Sequence, residues 1–349
     1  MSDIVIGNIV IGPTHKPLII AEMSGNHGQS LQKALALVDA AAAAGAQALK
    51  LQTYTPDTIT LDVHEREFFI ADSDSLWQGN SLYNLYQQAM TPWEWHQPIF
   101  EYARSKGLLA FSTPFDLSAV DFLESLHVPC YKIASFENID HGLLTAVART
   151  GKPVIMSTGM ATQAELADSV QVLRDNGCRD LILLKCTSNY PARPLDANLL
   201  TIPHLAALFD CQVGLSDHTP GVGVAVAAVA LGATVVEKHF VLDRNGGEVD
   251  AEFSLEPAEL KLLVEETARA HDALGKVHYG CTEKEVASRR HRRSLYLAQD
   301  LPAGTILTTE NLRSVRPGLG LAPKYLPLLL GKVLKRAVTK GTPMSWELI

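Results

Sequence analysis

The chain has 349 residues, 47% hydrophobic and 19% charged, with 24 Gly and 18 Pro; this balance excludes collagen-like and disordered polypeptides and describes a globular protein of about two domains. Thirty Lys+Arg against 38 Asp+Glu leave a net charge of −8, so no nucleic-acid partner is expected, and an anionic ligand needs a local cationic pocket. The five cysteines are scattered, with no C-x-x-C pair, which argues against a disulfide framework or a thiolate metal site and for a reducing cytoplasm.

In chain order, Ile4–Ile6 and Ile9–Ile11 flank Gly7-Asn8 and read as a β-hairpin. The amino terminus lacks the basic and apolar regions of an export signal, and the longest apolar run, 222–236, is too short to span a bilayer, so no membrane partner is expected. From Pro17 onward short apolar runs alternate with helical stretches. Strands are predicted at 18–23, 46–52, 109–113, 130–133, 154–157, 181–185, 212–215 and 234–239. Helices are predicted between them, such as 31–44, closed by Gly45, and 163–176, opened by Thr162. Eight strand–helix units over residues 1–282 describe a (β/α)8 TIM barrel with an N-terminal hairpin, whose active site belongs at the C-terminal strand ends. The connection from Thr53 to about Pro92 is too long and aromatic-rich for an ordinary loop, and reads as a lid or an interface. After Gly280 a charged linker, 283–292, leads into a small separate domain, 293–349. The linker's arginine run, 289–293, reads as a solvated face rather than a nucleic-acid site.

The predicted strand ends carry polar groups throughout. Lys50 and Lys132, with Ser112, Thr113, Ser135, Ser157, Thr158 and Ser216, offer two ammonium groups and a ring of hydroxyls, as a phosphate or carboxylate requires. Singly, each hydroxyl also reads as a helix cap, and either lysine as a Schiff-base former. His218 and His239 end neighbouring strands. They suit a divalent ion with open positions, Mn²⁺ or Mg²⁺ (or Co²⁺) given the oxygen-rich surroundings of Glu22, Asp217 and Glu237; each alone also suits a structural role. Asn26-His27 and the Gly-rich loop carrying Asp250 add further candidates.

The strings IIAE (19–22), LKLQT (49–53), STPFD (112–116), YKIAS (131–135), GLSDHT (214–219) and EKHF (237–240) resemble the sialic acid synthase family, and the segment from Arg293, with VRPG (315–318) and LGKV (330–333), resembles its antifreeze-like, or SAF, β-clip domain. EMSGNH (22–27), SLWQG (75–79), TPWEWH (91–96) and KCTSNYPA (185–192) are similar to the branch that makes pseudaminic acid. The resemblance implies a transferase that condenses phosphoenolpyruvate with an acylamino sugar, here 2,4-diacetamido-2,4,6-trideoxy-L-altrose. The alternatives are N-acetylneuraminate or legionaminate synthesis, or a non-catalytic sugar-binding protein. It further implies that Lys50, Thr113, Lys132, Ser135, Ser157 and Ser216 hold phosphoenolpyruvate, and that His218 and His239 bind the metal. Glu22 would stand beside its water and handle the water's proton, and Asp250 would meet the sugar. Ser188 or Asn189 follows the Cys-Thr pair as a ligand contact. Arg316 would reach the sugar of a partner subunit in a homodimer with exchanged SAF domains. With the lysines committed to phosphate and carboxylate, the Schiff-base alternative recedes.

Overall fold

Eight parallel strands close into a barrel in a computed structural model of the chain, which describes residues 2–73 and 75–349. The hairpin forms from β1 (Ile4–Ile6) and β2 (Ile9–Ile11). The barrel strands are β3 (Leu18–Glu22), β4 (Ala48–Thr53), β5 (Leu109–Pro114), β6 (Tyr131–Ile133), β7 (Val154–Ser157), β8 (Leu181–Cys186), β9 (Gln212–Asp217) and β10 (Val235–His239), each hydrogen-bonded to the next and β10 to β3. All eight fall where the apolar runs placed them, because strands covered on both faces must be apolar almost throughout. The intervening helices obey ordinary capping rules. Helix Leu31–Ala44 starts where Ser30 Oγ accepts from the Lys33 amide, and it stops at Gly45, whose φ of 87° suits a residue without Cβ.

The hairpin lies against the N-terminal end of the barrel. Ile4, Ile6 and Ile11 join the barrel core, and Gly7 approaches Leu109 so closely that a Cβ there would lie 2.6 Å from Leu109 Cδ2. That end is covered by apolar packing, which leaves the opposite rim for chemistry. The connection after β4 holds two helices, Pro56–Ile59 and Leu82–Ala89, before helix Trp93–Ser105 restores the repeat. Tyr86 packs edge-on against Tyr54 at the end of β4, ring centroids 5.8 Å apart. The long connection is therefore structured over the C-terminal rim.

Two compact units divide the chain, residues 1–275 and 276–349. In the second, β11 (Ser294–Leu297) pairs antiparallel with β12 (Leu312–Val315) over a separate core of Leu295, Leu297, Leu307, Leu329, Leu334 and Met344. The stretch expected as a linker forms short 3-10 turns, Glu283–Glu285 and Ala287–His291, and the Gly318 amide donates to Arg290 O at 2.8 Å. The first unit carries 17 Lys+Arg against 33 Asp+Glu, the second 13 against 5. Among the described residues no helix is long and apolar enough to cross a membrane.

Candidate active site

Alternation along the barrel strands decides which side chains meet inside. In the parallel register Glu237 lies beside Ser216 and His239 beside Glu22, while Lys238 pairs with Asp217 on the other face. The inward set forms a buried cluster. Lys50 Nζ lies 2.7 Å from Glu22 Oε2, 3.2 Å from Glu237 Oε2 and 3.4 Å from Thr113 Oγ1. Lys132 Nζ lies 3.4 Å from Glu237 Oε1 and donates to Ser157 Oγ at 2.8 Å, and Ser216 Oγ donates to Glu237 Oε1 at 3.0 Å. Burial alone would raise the Glu237 carboxyl, but Lys132 and Lys50 hold it at about 2. Burial also brings the Lys50 ammonium down to about 7, against the pull of Glu237. Two cations and two carboxylates thus balance one another in a low-dielectric pocket.

His218 and His239 stand at the mouth of this cluster, ring centroids 5.3 Å apart. The Thr187 carbonyl lies 3.0 Å from His218 Nδ1, which fixes the ring, and Cys186 Sγ lies 3.9 Å from the same nitrogen. Burial opposes the charged forms of both groups, yet their mutual contact raises His218 and brings Cys186 down to about 6. His239 is held well below its ordinary value by burial and by the positive charges of His218 and Lys50. Its Nδ1 is buried without a hydrogen bond, 3.9 Å from Asp250 Oδ2. Among the described residues no three His, Cys, Asp or Glu side chains form a closed ligand set. A neutral imidazole with an orphaned nitrogen, a second imidazole beside it and a nearby carboxylate fit a divalent ion that takes its remaining ligands from water and substrate.

Above the histidines opens a cleft of about 1150 Å³ of empty space, lined among others by Glu137, Tyr190, His239, Asp250 and Phe253. Tyr190 packs on His218 (4.4 Å between centroids) and Phe253 on His239 (4.9 Å). Asp250 is placed by the Ser24 hydroxyl, which donates to its Oδ2 at 2.5 Å, and burial raises its carboxyl. Glu137 faces the cleft with Oε2 unbonded, its carboxyl pushed up to about 7 by burial against the pull of Lys132.

The structure therefore brings Glu22, Lys50, Thr113, Lys132, Ser157, Ser216, His218, His239 and Asp250 together. Ser135 and Ser188 join from the loops after β6 and β8; both hydroxyls crowd Gly159, where a Cβ would collide with them. Asn189 is exposed. Arg316 is exposed in the second unit, directly after β12. Four candidates turn out to be architectural. Asp217 accepts from Lys238 Nζ at 2.9 Å and caps Thr219, away from the cluster. Asn26 donates to Phe240 O and Ser254 Oγ, and His27 meets Thr91 Oγ1 at 3.2 Å, so both fasten loops. Thr158 Oγ1 donates to Leu184 O. Conversely, Glu237 as the hub of the lysines and Glu137 in the cleft were not singled out. Period-two alternation would have placed Glu237 on the face of His239, whereas nothing in the sequence aims the loop residue Glu137.

The sequence profile of the NeuB family matches residues 37–279, and that of the SAF domain residues 292–349. The pseudaminic acid synthase of Campylobacter jejuni subsp. jejuni serotype O:23/36 is 44% identical over 330 residues, spanning 95% of this chain and 96% of that protein. The N,N'-diacetyllegionaminic acid synthase of Legionella pneumophila is 37% identical over 334 residues, spanning 94% and 93%. A crystal structure of the N-acetylneuraminic acid synthetase of Leptospira borgpetersenii, in complex with citrate, matches with a TM-score of 0.72 at 34% identity, covering 82% of this chain and 95% of that one.

Proposed function

The chain belongs to the NeuB family and carries a SAF domain, and from that premise we propose that it makes pseudaminic acid from phosphoenolpyruvate, water and 2,4-diacetamido-2,4,6-trideoxy-L-altrose, releasing phosphate. The coarser assignment, an enzyme of the nonulosonic acid synthase type, rests on relatives that match over nearly their whole length. The finer one is supported by the higher identity to a pseudaminic acid synthase, 44% against 37% for the legionaminic acid synthase, and the phosphoenolpyruvate half by the buried Lys50–Lys132 cluster.

The two ammonium groups take the phosphate and carboxylate of phosphoenolpyruvate, displacing part of their pairing with Glu22 and Glu237, while Thr113, Ser135, Ser157 and Ser216 supply hydrogen bonds. A divalent ion, Mn²⁺ or Mg²⁺ with Co²⁺ as a substitute, would be held by His218 and His239 and would polarise the sugar's aldehyde oxygen. The C3 carbon of phosphoenolpyruvate bonds to the aldehyde carbon, whose oxygen takes up a proton. Water adds to C2 and loses a proton, and the C2–O bond to phosphate then breaks, the departing phosphate taking the hydroxyl proton, to leave the keto acid. Among the carboxylates near this chemistry, Glu237 is held by Lys50 and Lys132 and Asp250 by the Ser24 hydroxyl, while Glu22 is fully buried and fixed by the Ser24 amide and Lys50. Glu137 lines the cleft with one buried carboxylate oxygen unbonded and its carboxyl pushed up to about 7, so in this reading Glu137 rather than Glu22 handles the proton transfers.

The test is phosphate release from phosphoenolpyruvate with Mn²⁺ and a panel of acylamino sugars. The L-altro acceptor should give the highest kcat/KM. Preference for another acylamino sugar would hand the reaction to the legionaminate or N-acetylneuraminate reading, and phosphate release with no sugar at all would defeat the assignment.

Arg316, by the same proposal, serves the acceptor of a partner subunit's barrel in a homodimer. Its five donors in a fixed fork suit an acyl carbonyl or hydroxyl. Arg316→Ala should raise the acceptor KM and spare the phosphoenolpyruvate KM. Mixing it with inactive His239→Ala should restore part of the activity, since one barrel of each heterodimer then has both groups. Heterodimers that form yet stay inactive would place the arginine's action within its own chain.

A further inference from the structure

We propose that the aliphatic side chains which the long connection after β4 puts into the cleft, Ile59, Ile70, Leu82 and Leu85, select an acceptor bearing a methyl group, not a hydroxymethyl or a phosphate, at the end remote from its aldehyde. This rests on the condensation reading above and adds which residues decide the acceptor.

The cleft is chemically divided. Its carboxylic acids and imidazole, Glu137, His239 and Asp250, come from the strand ends and the loops that follow them, whereas the connection contributes aliphatic side chains and the aromatic Tyr54, Trp77 and Tyr86. With the aldehyde beside His239, the far end of the sugar lies against the connection. No Lys or Arg is present among the described lining residues. A phosphate monoester would therefore share the cleft with Glu137 and Asp250 without a compensating cation. A hydroxyl pressed on the aliphatic wall would lose its water and find no partner, while a methyl would gain the same burial at no such cost.

The wall is also fixed. Ile70 is held at both backbone ends, its amide donating to Asn80 O and its carbonyl accepting from the Gly79 amide, each at 2.9 Å. Leu82 and Leu85 lie on helix Leu82–Ala89, capped by the Ser81 hydroxyl. Trp77 Nε1 donates to Val249 O at 3.0 Å, tying the connection to the loop that presents Asp250. The apolar end thus keeps its position relative to the polar end, as discrimination within one ligand requires.

The experiment compares kcat/KM for the 2,4-diacetamido-2,4,6-trideoxy acceptor and its 6-hydroxy counterpart. The unaltered protein should prefer the deoxy sugar about 10- to 100-fold, the range open to a hydrophobic pocket discriminating one hydroxyl. Ile59→Thr and Leu82→Thr, both at half-buried positions that tolerate a polar atom, should cut that preference about 10-fold while leaving the phosphoenolpyruvate KM within two-fold; Leu82→Met should keep it. Equal use of the two sugars by the unaltered protein would overturn the inference and leave the condensation reading standing. So would threonine variants that melt normally, consume the deoxy sugar and keep the full preference. Turnover of neither sugar would overturn the condensation reading and the inference with it.

Discussion

Phosphate release should fall at least about 10³-fold in His239→Ala and should stop in the unaltered protein when excess chelator is added, with Mn²⁺, Mg²⁺ or Co²⁺ restoring it; losses of this size are those expected when several kcal/mol of carbonyl polarisation disappear. Burial, with the charges of His218 and Lys50, keeps the His239 ring neutral, so its lone pair is available to a cation. Because His239 Nδ1 makes no hydrogen bond, its removal cuts none from the fold, and the melting temperature should shift by only a few degrees. His218 differs. Its ring is raised by contact with Cys186 and Thr187, so a bound cation must displace a proton there, and affinity should rise with pH. Direct Mn²⁺ binding, followed by spin resonance, separates loss of the ion from loss of the fold. Undiminished activity in excess chelator, or Mn²⁺ binding untouched in both His239→Ala and His218→Ala, would defeat the assignment.

Lys50→Ala and Lys132→Ala should each lower kcat/KM for phosphoenolpyruvate about 10²-fold or more, mainly through KM, because each removes a buried cation from a charged ligand. The structure adds a second consequence. Glu22 and Glu237 already neutralise these lysines, so Lys50→Ala strands the buried Glu22 carboxylate, at about 3–5 kcal/mol of stability, whereas Lys132→Ala leaves Glu237 with Lys50 alone and should cost less. Pairing Lys132→Met with Glu237→Gln removes both halves of one contact. Melting should recover toward that of the unaltered protein, and kcat/KM should not. Recovery of both would reduce Lys132 to a structural counter-ion. Borohydride should trap no covalent adduct; a trapped one would make a lysine a Schiff-base former instead.

The barrel was legible because each of its strands is an apolar run bounded by turn residues, and such runs leave few alternatives to a buried parallel strand. Lys50, Lys132, His218 and His239 were legible as strand-end polar groups for the same reason. Facing was harder to read. Asp217 and Glu237 both read as oxygens near the metal, but Asp217 alternates with Ser216 and His218 and so points to Lys238, whereas Glu237 shares a face with His239 and meets the two lysines. Glu137 and Ser188 lie on loops, where no periodicity fixes direction, and only the folded backbone shows Ser188 and Ser135 both crowding Gly159. The long connection after β4 was recognisable by length and aromatic content, but its role as one wall of the cleft depends on packing between residues far apart in the chain.

The uneven division of charge between the two units has a colloidal consequence. The overall isoelectric point of about 5.8 averages an acidic barrel and a basic tail and describes neither. At that pH the chain is not uncharged throughout; it consists of two units of opposite sign. Zero net charge removes the long-range repulsion between molecules, while attraction between the barrel of one and the tail of another persists within the ~8 Å screening length of physiological salt. Self-association should therefore peak near the isoelectric point and dissolve with added salt, the reverse of the salting-out that apolar patches produce.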